Sequence, residues 1–167
     1  EQALLHRSSS VKSNQGRLLN NERLEFLGDA ILDAVVGDIV YQKFEGKREG
    51  FLTNTRSKIV SRESLNHVAE QIGLSKLIKF SIRHASHNSY MGGNAFEALV
   101  GAIYLDRGYA YCKDFMENRI IGQYMDLNKL SRKEVNFKSK LIEWSQKNKV
   151  TIVFDLINQS LDEFNSP

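Results

Sequence analysis

Proline is almost missing from this chain of 167 residues; the single one, Pro167, is the last residue. Inside a helix the proline ring removes a hydrogen-bond donor and clashes with the preceding turn, so its scarcity leaves long helices open to most of the chain. Cysteine is equally scarce. Cys112 stands alone, which excludes an internal disulfide and a multi-cysteine zinc site and fits a reducing compartment. Its expected role is that of a small buried apolar group. No apolar run approaches the roughly 18 residues that a membrane-spanning helix needs, and Glu1-Gln2-Ala3 lacks a signal-peptide pattern. The expectation is a soluble, cytoplasmic protein with no membrane partner. Neither sign of charge dominates. The 23 Lys and Arg against 20 Asp and Glu leave +3, a mildly basic balance that permits a polyanionic partner without requiring one.

What the chain has in quantity is helical periodicity. Leu24, Leu27, Ile31, Val35 and Ile39 recur at helical spacing up to Phe44, and Leu32, Val36 and Val40 add to the apolar surface. Such coverage predicts a long helix buried on more than one side, with Asn20 or Asn21 as its N-cap. Ahead of it, Glu1–Arg7 reads as a short helix end and Ser8–Asn21 as a loop. Beyond a charged turn at Glu45–Gly50, Phe51–Val60 and Ser61–Ile72 predict two helices or one bent helix ending at Gly73. Ser81–Ser89 reads as a polar loop, with Gly92-Gly93 as a flexible entry to the next helix. That helix, Asn94–Leu105, stops at Arg107-Gly108, and another follows over Tyr109–Tyr124. Charge without apolar periodicity marks a linker at 129–135. Phe137–Lys147 then predicts a separate amphipathic helix, and Val150–Leu156 the only convincing strand. One strand cannot satisfy its own edges, so the expectation is a chain that stops inside a second domain.

Glu22, Glu25 and Asp29 are three and four residues apart, which stacks three carboxylates on one helical face. Asn94 and Glu97, three apart, share a face of the later helix. If the two helices pack together, oxygen ligands converge, and crowded carboxylates must either take up protons or share a hard cation such as Mg²⁺. On spacing alone, a solvated acidic face that serves the helix dipole is the commoner outcome.

The wording of these segments is more specific. Asn21–Ala30 (NERLEFLGDA) resembles the signature segment of the ribonuclease III family, and Asn94–Asp106 (NAFEALVGAIYLD) resembles its second acidic helix. Leu4, His6, Arg7 and Ser8 are similar to the family's usual start, and Lys47–Leu52 (KREGFL) to its central turn. In order and separation these matches span roughly Leu4 to Tyr124. The resemblance implies an all-α endonuclease domain over 1–128 that acts as a homodimer on double-stranded RNA, one strand per subunit. Ribosomal and other RNA processing is the expected setting, and the products carry 5′-phosphates, 3′-hydroxyls and short 3′ overhangs. It further implies that Glu25, Asp29 and Glu97 bind Mg²⁺, with Mn²⁺ as a possible substitute, and that Asp29 and Glu97 are catalytic. Glu22 and Glu49 match secondary cleft acids. Phe26 matches an aromatic that plugs into the partner subunit, with an ordinary core phenylalanine as the alternative.

The chain departs from the family at Asn94, where most bacterial members carry aspartate. An amide oxygen still ligates a hard cation, directly or through water, but brings no charge. The choice lies between an active enzyme with altered metal dependence and a weak or inactive dimer that binds structured RNA. Phe137–Lys147 (FKSKLIEWSQK) resembles the first helix of a double-stranded RNA-binding domain, so 136–167 is expected to be part of one. Ser139, Glu143 and Gln146 match its minor-groove positions, while Ile142 replaces a frequently polar residue. Trp144 has phosphate-side and core readings, and Arg56, Lys58 and Arg62 have groove-lining and solvated ones.

Overall fold

Leu32, Val35, Val36 and Val40 are shielded from solvent almost completely, which makes the long first helix the centre of the fold rather than a surface element. The computed structural model describes residues 1–81, 90–132 and 137–155, with the side chains of 132, 137, 139, 140 and 143 outside that description. The chain divides into two compact units between Lys133 and Glu134.

In the first unit a 3₁₀ turn (Gln2–Leu4) leads to a short antiparallel pair, β1 (Val11–Lys12) and β2 (Leu18–Leu19), with Val11 opposite Leu19. This pair lies inside the expected loop. Gly16, at φ 75°, makes the reversal that a side chain would strain. Helix α1 (Glu22–Lys43) is followed by α2 (Glu49–Ile59), α3 (Arg62–Gln71) and α4 (Met91–Asp114). The helix start at α1 is served by Asn20, whose Oδ1 accepts from Glu22 N at 3.1 Å, while Asn21 makes no side-chain cap bond. Helix α4 is broken at Gly108 (φ 77°, ψ −177°), where the sequence predicts a stop. A π-helical stretch (Phe115–Ile121), α5 (Gly122–Tyr124) and α6 (Leu127–Arg132) complete the unit. The expected linker therefore begins as helix, because Leu127 and Leu130 still have core to cover.

Packing centres on α1 against α4, with α2 and α3 closing the sides. Phe96 is fully buried and its ring stacks on Phe115, 6.5 Å between centroids. Residues of this kind contribute about 1.5–3 kcal/mol each on burial. Cys112 is buried against the Val100 carbonyl, in the apolar role expected of it. Among the described residues no helix is long and apolar enough to cross a membrane.

The second unit contains α7 (Phe137–Asn148). No strand forms over 150–155, and Leu156 lies outside the described residues. The β-branched sequence favours extension, but pairing needs a neighbouring edge and no described segment supplies it. Val150 N instead donates to Ser145 O at 2.9 Å, closing the helix end. Trp144 is 54% exposed, which excludes a core position for it among the described residues.

Candidate active site

Two glycines decide where the acids meet. Helices α1 and α4 cross with their backbones in contact: a Cβ on Gly28 would occupy the place of the Glu97 carbonyl, and one on Gly101 that of the Leu24 carbonyl. Hydrogen side chains alone permit this approach. Gly28 is adjacent to Asp29 and one turn from Glu25, and it touches the backbone of Glu97 itself. Carboxylates from both helices are thereby delivered to one cleft of about 500 Å³, lined by Glu22, Glu25, Asp29, Asn94 and Glu97 together with Arg62.

Crowding shows in their acidity. The Glu97 carboxyl is pushed up to about 7, first by burial and then by the negative charges of Asp29 and Glu25. Glu25 is also raised, by burial and by Glu22, whereas a hydrogen bond from the Asn94 side chain and the charge of Arg7 pull it back. Asn94 is thus a donor to Glu25, a role that aspartate in its ionised form cannot take. The entry Gly92-Gly93 is helical, not a loose lead-in. Gly93 N donates to Asn66 Oδ1 at 2.7 Å, and a Cβ on Gly92 would press on Asn66, Ala69 and Ser75. That contact locks α3 onto the start of α4 and fixes the position of Asn94.

Arg7 is brought beside Glu22, outside the cleft lining, by backbone pairing. His6 N donates to Lys79 O (3.0 Å) and Asn21 N to Leu5 O (2.8 Å), which lays the N-terminal segment beside α1. Arg7 Nη1 then stands 3.9 Å from Glu22 Oε1, an exposed and weak pair. Asp33, one turn beyond Asp29, also raises Glu97 and faces Arg56 at 3.8 Å. Sequence reading gives neither Arg7 nor Asp33 a role. The spacing of Asp33 from Asp29 signals its place, whereas the placement of Arg7 depends on a pairing between distant segments.

Other expected residues lie elsewhere. Glu49 opens α2, exposed, and accepts from Thr53 Oγ1 at 2.8 Å; it does not line the cleft. Phe26 is 81% exposed, so it is no core phenylalanine. It borders the cleft and also a hollow of about 690 Å³ lined by Leu24, Leu27 and Leu105. Positions 139, 143 and 146 share a face of α7. Gln146 is exposed, and the side chains of Ser139 and Glu143 lie outside the description.

Among the described residues, no three His, Cys, Asp or Glu side chains are gathered so as to hold an ion by themselves. Mg²⁺ keeps several waters and needs only one or two carboxylates directly. An all-oxygen donor set in which burial, and after it the neighbouring negative charge, raises two of the carboxyls fits a hard divalent cation.

Comparison with known proteins bears on residues 1–124, which match the family model for ribonuclease-III-like proteins. Curated relatives named Ribonuclease 3 are 76% identical in Bacteroides fragilis and 75% identical in Phocaeicola vulgatus, each over all of this chain. The chain spans 58% and 54% of the length of those two relatives. Among solved structures, the nuclease domain of ribonuclease III from Campylobacter jejuni, described as having flexibility in a region involved in dimer formation, is 35% identical. It superposes with a TM-score of 0.65 over 74% of this chain and 85% of that one. Dicer from Pichia stipitis is 31% identical, with a TM-score of 0.57 over 75% of this chain and 60% of that one.

Proposed function

The chain belongs to the ribonuclease-III-like family, and on that footing we propose that it is the catalytic part of an endoribonuclease that cleaves double-stranded RNA as a Mg²⁺-dependent homodimer. The observation that carries the reading is the crossing at Gly28 and Gly101, which gathers acids of α1 and α4 around one cleft and holds Glu97 and Glu25 towards their neutral forms. Glu25, Asp29 and Glu97 would hold Mg²⁺ (or Mn²⁺), with Asn94 assisting directly or through water. When bound, the ion supplies Lewis-acid stabilisation of the phosphodiester and lowers the pKa of water. The carboxylates would orient the ion and accept protons at their oxygens. Water adds at phosphorus, the P–O3′ bond breaks, and the proton passes to the leaving oxygen, giving a 5′-phosphate and a 3′-hydroxyl. Glu22 serves as a secondary cleft acid. Glu49 is retained in the proposal only as a second-rank acid, since its own chain does not bring it to the cleft.

The domain limits 1–128 and 136–167, the minor-groove contacts of Ser139, Glu143 and Gln146, and a setting in ribosomal and other RNA processing belong to the same proposal. The test is cleavage of a long RNA duplex in Mg²⁺ by this chain and by an extended one, with Glu97→Ala as control. Short duplex products with 3′ overhangs that disappear in the variant support the enzyme. Binding without cutting, in Mn²⁺ as well, assigns the chain to the RNA-binding alternative and implicates Asn94.

Asn94→Asp replaces a donor to Glu25 by a further charge. The Mg²⁺ concentration for half-maximal rate is expected to fall severalfold, while metal-free Glu25 rises further because its hydrogen bond is gone. An unchanged metal titration removes position 94 from the ligand set. Phe26, being exposed beside an apolar hollow, is proposed as the dimer contact. Phe26→Ser should shift the monomer–dimer equilibrium towards monomer by about tenfold or more in sedimentation experiments, since burial of a phenylalanine contributes about 1.5–3 kcal/mol.

A further inference from the structure

Arg56, Lys58 and Arg62 lie close in sequence, but the fold gives them three different tasks. Arg56 turns to Asp33 at 3.8 Å, and Lys58 is buried with its ammonium donating to Ser131 O at 3.2 Å. Arg62 alone of the three lines the acidic cleft, and it is the only basic residue in that lining among the described residues. Its guanidinium carbon stands 4.5 Å from the centroid of the Tyr90 ring. Among the described residues no carboxylate comes within ion-pair distance of it, and no hydrogen bond takes up its N–H donors.

The stack rests on fixed parts. Arg62 is the first residue of α3, whose start is capped by the Ser61 side chain accepting from Ser64 N at 3.3 Å. Tyr90 immediately precedes α4, and the Gly93–Asn66 hydrogen bond ties the two helix starts together. An aromatic face sets the plane of a guanidinium while its edge donors stay available for a phosphate. A phosphodiester approaching Glu22, Glu25, Asp29 and Glu97 meets a wall of like charge. One planar cation at the rim offsets that repulsion and offers two parallel donors.

We propose that Arg62, oriented by the ring of Tyr90, binds a backbone phosphate of the RNA duplex at the mouth of the acidic cleft. This deepens the RNA-cleaving reading and rests on it. Arg62 touches substrate, and Tyr90 is a positioning residue that acts through it.

The experiment uses the full-length protein, an RNA duplex, and binding without divalent cation followed as a function of KCl, alongside cleavage kinetics in Mg²⁺. Arg62→Gln should weaken binding roughly 5- to 10-fold and reduce the slope of log K against log salt by about 1, as loss of one phosphate contact does. KM should rise more than kcat falls. Arg62→Lys should restore the slope but not the full affinity, Tyr90→Phe should match the parent, and Tyr90→Leu should lose part of the affinity at unchanged unfolding temperature. A parental slope in Arg62→Gln overturns the assignment. If the Mg²⁺ requirement changes along with that parental slope, Arg62 only offsets the charge of Glu97. Parent protein that binds duplex but does not cut it leaves the Arg62 measurement valid and overturns cleavage alone. Parent that neither binds nor cuts overturns both.

Discussion

Glu97→Gln is expected to lower the cleavage rate by at least about 100-fold, since even the outer partners of metal ligands cost 10- to 100-fold, while making the metal-free protein more stable above neutral pH. The two effects have one origin. The carboxyl of Glu97 is raised from 4.5 to about 7 by burial and by Asp29 and Glu25. A carboxyl raised in the folded state binds its proton more tightly there than in the unfolded chain. Its contribution to stability is therefore complete below about 4.5 and is lost as the pH rises through about 7. Glutamine imitates the protonated form and removes that loss, but it brings no anionic ligand. Urea unfolding in EDTA at pH 5 and pH 8 should show a smaller fall in stability for the variant than for the parent. Mg²⁺ opposes the same protonation, so the metal concentration needed for cleavage should drop as the pH rises through about 7. An equal pH dependence of stability in both proteins would place the raised group elsewhere.

Gly28→Ala is expected to destabilise the fold by about 3 kcal/mol or more, at the upper end of overpacking effects. The added methyl would lie within the Glu97 carbonyl and press on Gly101 N, and both are backbone atoms of another helix that cannot rotate away. Either α1 and α4 part or the chain unfolds. A fall in melting temperature on the order of 10 °C is the expected reading for a chain of this size. Gly37→Ala on the same helix is the comparison. Its Cβ would meet only Arg56 Cδ at an ordinary 3.8 Å, so the usual gain from replacing a mid-helix glycine, about 0.5–1 kcal/mol, should appear. Opposite signs for the two substitutions would confirm that the crossing, rather than helix propensity, governs position 28. Any stable Gly28→Ala protein should also cut poorly, because parted helices separate Glu97 from Glu25 and Asp29.

The sequence by itself determined the helices and the face on which the acids stand. Leu32, Val36 and their neighbours announce a buried helix, and the spacing of Glu22, Glu25 and Asp29 fixes their common side, because both follow from local backbone geometry. The stop at Gly108 was legible for the same reason. The short β1–β2 pair was not, since two-residue strands carry too little pattern to stand out from a polar loop. Over 150–155, the described part of the Val150–Leu156 run, no strand forms: β-branched residues favour one, but only a neighbour's edge can make it.

Tertiary structure alone decided how the site is assembled and charged. Nothing local shows that Gly28 meets the Glu97 backbone, that Arg7 is carried beside Glu22 by pairing with the segment at Lys79, or that Arg62 is held on Tyr90 while Arg56 and Lys58 turn away. The raised carboxyls of Glu97 and Glu25 belong to the same class, because burial and the field of distant charges exist only once the helices have packed.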